Sequence, residues 1–202
     1  MASWAVMKYP VQMEPPDSSA GQRIAGDSAQ RTLAAKAGRG DRAAQAELLR
    51  DLQDVLYRFC FAILGQADAA QDATQETALR LLQRIGSFRG DSSVRTWALG
   101  IALNVCREAR RVRSTPPLPE HHDAAGTNGS PEASAATNEE HSRLRALIRT
   151  LPERQREALV LRFFEGLSVE EAAQAMDCAA GTVKATVAQA LRALRQQWKD
   201  RP

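Results

Sequence analysis

The 202-residue chain is poor in aromatic residues, with five Phe, three Trp and two Tyr, so any core has to be built from Leu, Ala, Ile and Val. It has only three cysteines, Cys60, Cys106 and Cys178, far apart and without a C-x-x-C pair. That spacing excludes a disulfide framework and a cysteine zinc site, and each reads as a small buried hydrophobe among apolar neighbours. No apolar run approaches the roughly 20 residues of a membrane span. The N-terminus does not resemble a secretory signal, which makes the cytoplasm the default location without membrane insertion. A Gly-rich phosphate loop, a nucleophile–base set and metal-ligand spacing are also missing, so neither catalysis nor a cofactor or metal is expected. His121 and His122 adjoin each other without partner ligands at suitable spacing.

Positive charge is missing from one segment. No Lys or Arg occurs between Ser114 and Ser142, where Glu120, Asp123, Glu132, Glu139 and Glu140 stand. On one side lie Arg95, Arg107, Arg110, Arg111 and Arg113, opposed only by Glu108. On the other lie Lys184, Arg192, Arg195, Lys199 and Arg201, opposed only by Asp200. The net charge of +3 hides this division. Two basic patches flanking an acidic tether suit a polyanion gripped at two places, although a basic run can equally be a solvated helix face.

Apolar periodicity predicts an all-α chain in which two small helical domains are joined by a flexible linker. Residues 1–40 mix Pro, Ser, Gly and Gln and read as a disordered tail. Asp41 is a good N-cap, and Leu48, Leu49, Leu52, Leu56, Phe59 and Ile63 then recur at helical spacing up to Gly65. A second helix is expected from about Asp68 to Ile85, with Leu79, Leu82 and Ile85 on its apolar stripe. Gly86 to Ser92 is loop chemistry, and a third helix begins near Ser93 and runs into the Arg cluster. These helices form a domain over 41–113. The linker, 114–138, carries four prolines among Gly, Ser, Thr and Ala.

The second domain is expected over 139–202. Leu144, Leu147, Ile148 and Leu151 form a first stripe that Pro152 ends, and a helix from Arg154 to Phe164 is closed by Gly166. Ser168-Val-Glu-Glu171 is a capping box opening a short helix to about Met176. After a turn, a longer helix runs from Thr182 to about Trp198. A short helix, a turn and a longer helix, with small Ala172 where two backbones would approach, is the pattern of a helix-turn-helix. Val183, Val187, Ala190, Leu191 and Leu194 would face the core. Lys184, Ala185, Ala188, Gln189 and Arg192 would form the outward surface that such a helix lays in the major groove. Gln189 could bond an adenine edge, and Lys184 could reach guanine or a phosphate.

At these residues the chain resembles a known family. Leu151-Pro-Glu-Arg-Gln-Arg-Glu-Ala-Leu-Val-Leu-Arg162, Glu165-Gly-Leu-Ser-Val-Glu-Glu-Ala-Ala173 and Gly181-Thr-Val-Lys184 look like region four of sigma factors of the extracytoplasmic-function (ECF) class. Asp72-Ala-Thr-Gln-Glu-Thr77 and Phe88-Arg-Gly-Asp-Ser-Ser-Val-Arg-Thr-Trp97 resemble region two. The resemblance implies a transcription initiation factor that binds core RNA polymerase, directs it to promoter DNA and assists opening. It implies that Asp72, Gln75 and Glu76 dock on the polymerase. It also implies that Arg89, Arg95, Trp97, Asn104, Arg107, Arg110 and Arg111 handle the promoter −10 element. A flipped base could sit at Trp97, which taken alone reads as a core anchor. An anti-sigma factor is implied as a further partner.

The resemblance departs in places. Ala179 replaces the usual capping Ser, and Ala185 to Leu191 lacks the usual basic residues. Gly100 and Leu103 stand where basic residues are common in the family. The alternative reading is a stand-alone helix-turn-helix regulator, which would bind its operator without polymerase.

Overall fold

The computed structural model describes residues 20–114 and 146–199, and among these there is no strand. Helix α1 (Ala20–Gly38) precedes α2 (Arg42–Leu64) and α3 (Ala67–Arg84), and a 3-10 turn (Ile85–Ser87) leads to α4 (Val94–Ser114). Residues 146–150 are helical. Next come α5 (Glu153–Leu159), a π-helical continuation (Val160–Phe164), α6 (Val169–Met176) and α7 (Ala180–Lys199). The linker beyond Ser114, with His121 and His122, and Leu144 lie outside the described residues.

Local chemistry sets the helix limits. The Asp41 carboxylate accepts from the amides of Ala43 and Ala44 at 3.0 and 3.1 Å, and Gly65 ends α2 in the left-handed region at φ 76°. Ser93 caps α4, its hydroxyl accepting from the Thr96 amide at 2.9 Å. The Ser168–Glu171 capping box forms reciprocally, and Asp177 ends α6 at φ 52°.

In the first domain, Leu48, Leu52, Leu56, Phe59 and Ile63 of α2 are buried against α3 and α4. Two sequence expectations need correction here. The tail expected over 1–40 contains α1 from Ala20 onward, and Ala34 and Ala37 are buried in the same core. Small side chains let α1 lie close, and Gly38 approaches Gly86 so nearly that a Cβ would stand 3.2 Å from its Cα. The apolar stripe of α3 also departs from the expected one at Leu79, although Ile85 is buried and Leu82 partly so, as expected. Ala70, Ala73, Thr77 and Leu81 face the core, whereas Leu79 is 57% exposed. Alanines sufficed because α3 packs closely, and the larger leucine falls on the far side of the wheel.

The halves pack together, chiefly through α4 against α6. Gly100 makes this close: a Cβ there would meet the Ala175 backbone at 3.4 Å. Leu103, at the other position where a basic residue was missed, is wholly buried. In the second domain α5 and α6 pack on α7, with Val183 and Ala190 fully buried and Val187, Leu191 and Leu194 partly so.

Candidate polymerase and nucleic-acid interfaces

Asp72, Gln75, Glu76, Leu79 and Gln83 recur at three- and four-residue spacing along one side of α3. Asp72, Gln75, Leu79 and Gln83 are exposed, and Glu76 is half-buried. Glu76 accepts from Arg80 Nε at 2.6 Å, and Arg80 reaches on to Glu108 of α4 with two bonds of 2.8 and 2.7 Å. The guanidinium holds the Glu108 carboxyl below the usual glutamate range. This ion-pair chain locks α3 to α4 beside an acidic surface with one exposed leucine. Leu79 was missed in the sequence because its helical spacing reads as core. Its acidic and amide neighbours three, four and seven residues back were the available signal.

The loop between the 3-10 turn and α4 carries Arg89 and Asp91 exposed to solvent. Behind them Phe88 and Trp97 are half-buried, their rings tilted at 42° with centroids 5.1 Å apart. Trp97 is therefore partly a core residue and partly open. Along α4 two of the candidate arginines, Arg95 and Arg107, are bound by the second domain. Arg95 donates to the Glu165 backbone carbonyl at 2.9 Å and to its carboxylate. Arg107 forms a two-bond pair with Glu157 at 3.1 and 2.7 Å and also donates to Asn104 at 3.3 Å. Arg110 and Arg156, one from each domain, both donate to the Ile63 carbonyl near the end of α2. Helix C-termini leave such carbonyls unpaired and carry partial negative charge, so two cations there are well placed. Arg111 is exposed.

Electrostatics set the two acidic partners apart. Glu157 is 1% exposed, and its carboxylate raises the pKa of Arg107 above the usual arginine value. Burial pushes the Glu165 carboxyl up, with Arg95 and Arg58 opposing. Neither glutamate was singled out in the sequence, because no local pattern links positions 50 and 70 residues apart. Two cysteines are also brought together: Cys60 and Cys106 are both fully buried, and the Cys106 thiol is pushed up by its hydrogen bond to Cys60 and by burial. Cys178 is half-buried, not buried as expected.

On α7, Lys184, Ala185, Ala188, Gln189 and Arg192 are all exposed, opposite the buried Val183 and Ala190. They share one face of the second helix of a helix-turn-helix, with α6 as the first.

Comparison with known proteins places both halves. The family model described as sigma-70 region 2 matches residues 48–115, and that of sigma-70, region 4 matches 141–194. The RNA polymerase sigma-H factor of Pseudomonas aeruginosa is 32% identical over 173 residues, covering 80% of this chain and 90% of that factor. The ECF RNA polymerase sigma factor SigC of Mycobacterium tuberculosis is 35% identical over 176 residues, 83% of this chain and 90% of its own. The chain belongs to the ECF class of sigma-70-family sigma factors.

The fold agrees. CnrH, solved in complex with the cytosolic domain of CnrY, superposes with a TM-score of 0.67 at 22% identity, covering 86% of this chain and 99% of its own. The sigma factor RpoE of Bartonella quintana, solved with the anti-sigma factor NepR, gives 0.59 at 24% identity, covering 77% and 98%. As a sigma factor the chain binds core RNA polymerase and directs it to promoters. Among the described residues no helix is long and apolar enough to cross a membrane.

Proposed function

We propose that this sigma factor acts in the cytoplasm without catalysing a reaction and divides its task among three surfaces. The α3 face, with Asp72, Gln75, Glu76 and Leu79, docks on basic and apolar groups of the polymerase. The loop around Arg89, with Trp97, Asn104, Arg107, Arg110 and Arg111 on α4, receives the opened −10 strand. The outward face of α7, with Lys184, Ala185, Ala188, Gln189 and Arg192, lies on upstream duplex.

One observation carries this reading: the α3 and α7 faces are exposed while Arg95, Arg107 and Arg110 of α4 are held by the second domain or by the end of α2. A protein in this closed form presents its docking surfaces and covers part of its melting surface, leaving Arg89, Asn104 and Arg111 exposed. Separation of the domains then frees the arginines for phosphates, whose contacts supply the salt-dependent share of affinity. An anti-sigma factor that favours the closed form is the expected negative regulator.

Purified protein mixed with bacterial core polymerase tests the reading. Co-elution and a promoter-dependent transcript are expected, with Leu79→Asp weakening co-elution. A footprint formed without polymerase, together with no co-elution, would overturn it in favour of a stand-alone regulator.

A further inference from the structure

Helix α1 lies along the loop that joins the 3-10 turn to α4, and it holds that loop at both ends. At one end Gly38 meets Gly86, where a Cβ on Gly38 would stand 3.2 Å from the Gly86 Cα and 3.3 Å from the Ile85 carbonyl oxygen. At the other end Arg31 spans the loop. Its Nη1 donates to the Gly90 carbonyl at 3.0 Å and its Nη2 to the Ser92 carbonyl at 3.1 Å. Its Nε donates to Asp27 at 2.7 Å, which fixes the plane of the guanidinium. Gly90 has a φ of 79°, and a Cβ there would stand 3.3 Å from Arg31 Nη1. The turn thus calls for glycine, and the guanidinium sits close over it.

Between these anchors Ser87, Arg89 and Asp91 are exposed, while Phe88 rests on Trp97 and Ser93 caps α4. A loop with glycine at positions 86 and 90 has much backbone freedom to lose on binding. Binding that has to order such a loop is weaker than binding to one already held. A guanidinium fork suits the holding task, since it presents two N–H groups to two carbonyls in one fixed plane. A lysine ammonium is a single point charge on a flexible stem and cannot fix both.

We infer that Arg31 is a positioning residue for promoter opening: clamped by Asp27, it pre-orders the loop from Gly86 to Ser92 in the shape that accepts the displaced strand. The inference rests on the reading that this loop and α4 receive the −10 element. It makes α1, which the sequence pattern assigned to a tail, a working part of the melting machinery.

The test uses holoenzyme reconstituted from core polymerase and the full chain, on a promoter mapped by its start site after overexpression. Each variant is assayed on the full duplex and on the same fragment with its −10 strands mismatched, with permanganate reactivity of unpaired thymines reporting opening. Arg31→Ala and Arg31→Lys are expected to slow opening of the duplex about ten- to a hundredfold, the range for losing a hydrogen bond to a charged group. On the mismatched template both should return to within about twofold of wild type, because opening no longer has to be driven. Co-elution with core polymerase should be unchanged. Equal loss on both templates would mean that Arg31 serves only the fold, and no loss on the duplex would mean that the clamp is idle; either overturns the inference. Asp27→Ala, which leaves the guanidinium in place but unoriented, should give a smaller loss with the same rescue, and keeps the test open if Arg31→Ala fails to fold. Arg89→Ala reports on the underlying reading. Slow duplex opening in Arg89→Ala with none in the Arg31 variants overturns the clamp alone, and wild-type opening in all of them overturns both.

Discussion

Two buried glutamates face two arginines of α4, and their environments predict unequal responses to loss of charge. Glu165 holds its carboxyl above the ordinary range because burial outweighs the pull of Arg95 and Arg58. A carboxyl whose folded pKa is raised contributes stability that is fully present below its unfolded value, about 4.3, and is lost as pH rises through the folded pKa. Glu165→Gln keeps an acceptor for Arg95 at every pH and carries no charge to desolvate. Its stability by urea unfolding should therefore lie within about 1 kcal/mol of wild type at neutral pH. The wild type should gain on the variant as the medium is acidified from neutral pH towards the ordinary glutamate range of about 4.3. A gain in the other direction would show that the Arg95 pair, not burial, governs this carboxyl. Arg95 was legible as a basic residue; its partner was not, since an ion pair 70 residues apart leaves no periodic mark.

Among the elements, α6 is the most dependent on its cap. It has only eight residues, and helices so short have little intrinsic stability. Ser168 and Glu171 satisfy each other's end of it, with bonds of 3.1 and 2.7 Å. Ser168→Ala should cost about 1 kcal/mol, read as a lower urea midpoint with an unchanged slope. This cap, like Asp41 and Gly65, was legible because capping depends on residues within four positions of each other. Helix α1 was not, because its buried side is made of alanines that give weak periodicity; Lys36 in its last turn and Gly38 after it were the signals passed over. Removing residues 1–40 would strip Ala34 and Ala37 from the core and release the loop that Arg31 holds. The truncated protein should melt several degrees lower, on the scale of about 2–4 °C per kcal/mol for a chain of this size. A truncated protein as stable as the full chain would return α1 to the status of a tail.

At the scale of the whole molecule, the two domains expected from the sequence are present, but a tether alone does not relate them. Gly100 and Leu103 carry no charge, and in the structure one admits the α6 backbone and the other is core. The glycine is thus what lets α4 lie close to α6 of the second domain. That relation could not be read from the chain, because the glycine is informative only once α6 is known to lie over it. The closed form also depends on the two-bond Arg107–Glu157 pair, whose acidic member is nearly inaccessible. Removing its charge leaves Arg107 facing a weaker acceptor in a partly dry interface, at a cost of about 1.5–3 kcal/mol. The Arg107–Glu157 pair exists only while the domains touch, so that cost falls on the closed form and not on the separated one. Glu157→Gln should therefore shift the closed–open balance about ten- to a hundredfold toward open. Small-angle scattering should report a larger radius of gyration for the variant than for the wild type, with unchanged helical content by circular dichroism. Raised salt should narrow the difference less than it would for a surface pair, because screening hardly reaches buried charges. An identical radius in both proteins would mean that the packing of α4 on α6 around Gly100 holds the domains together without the ion pair.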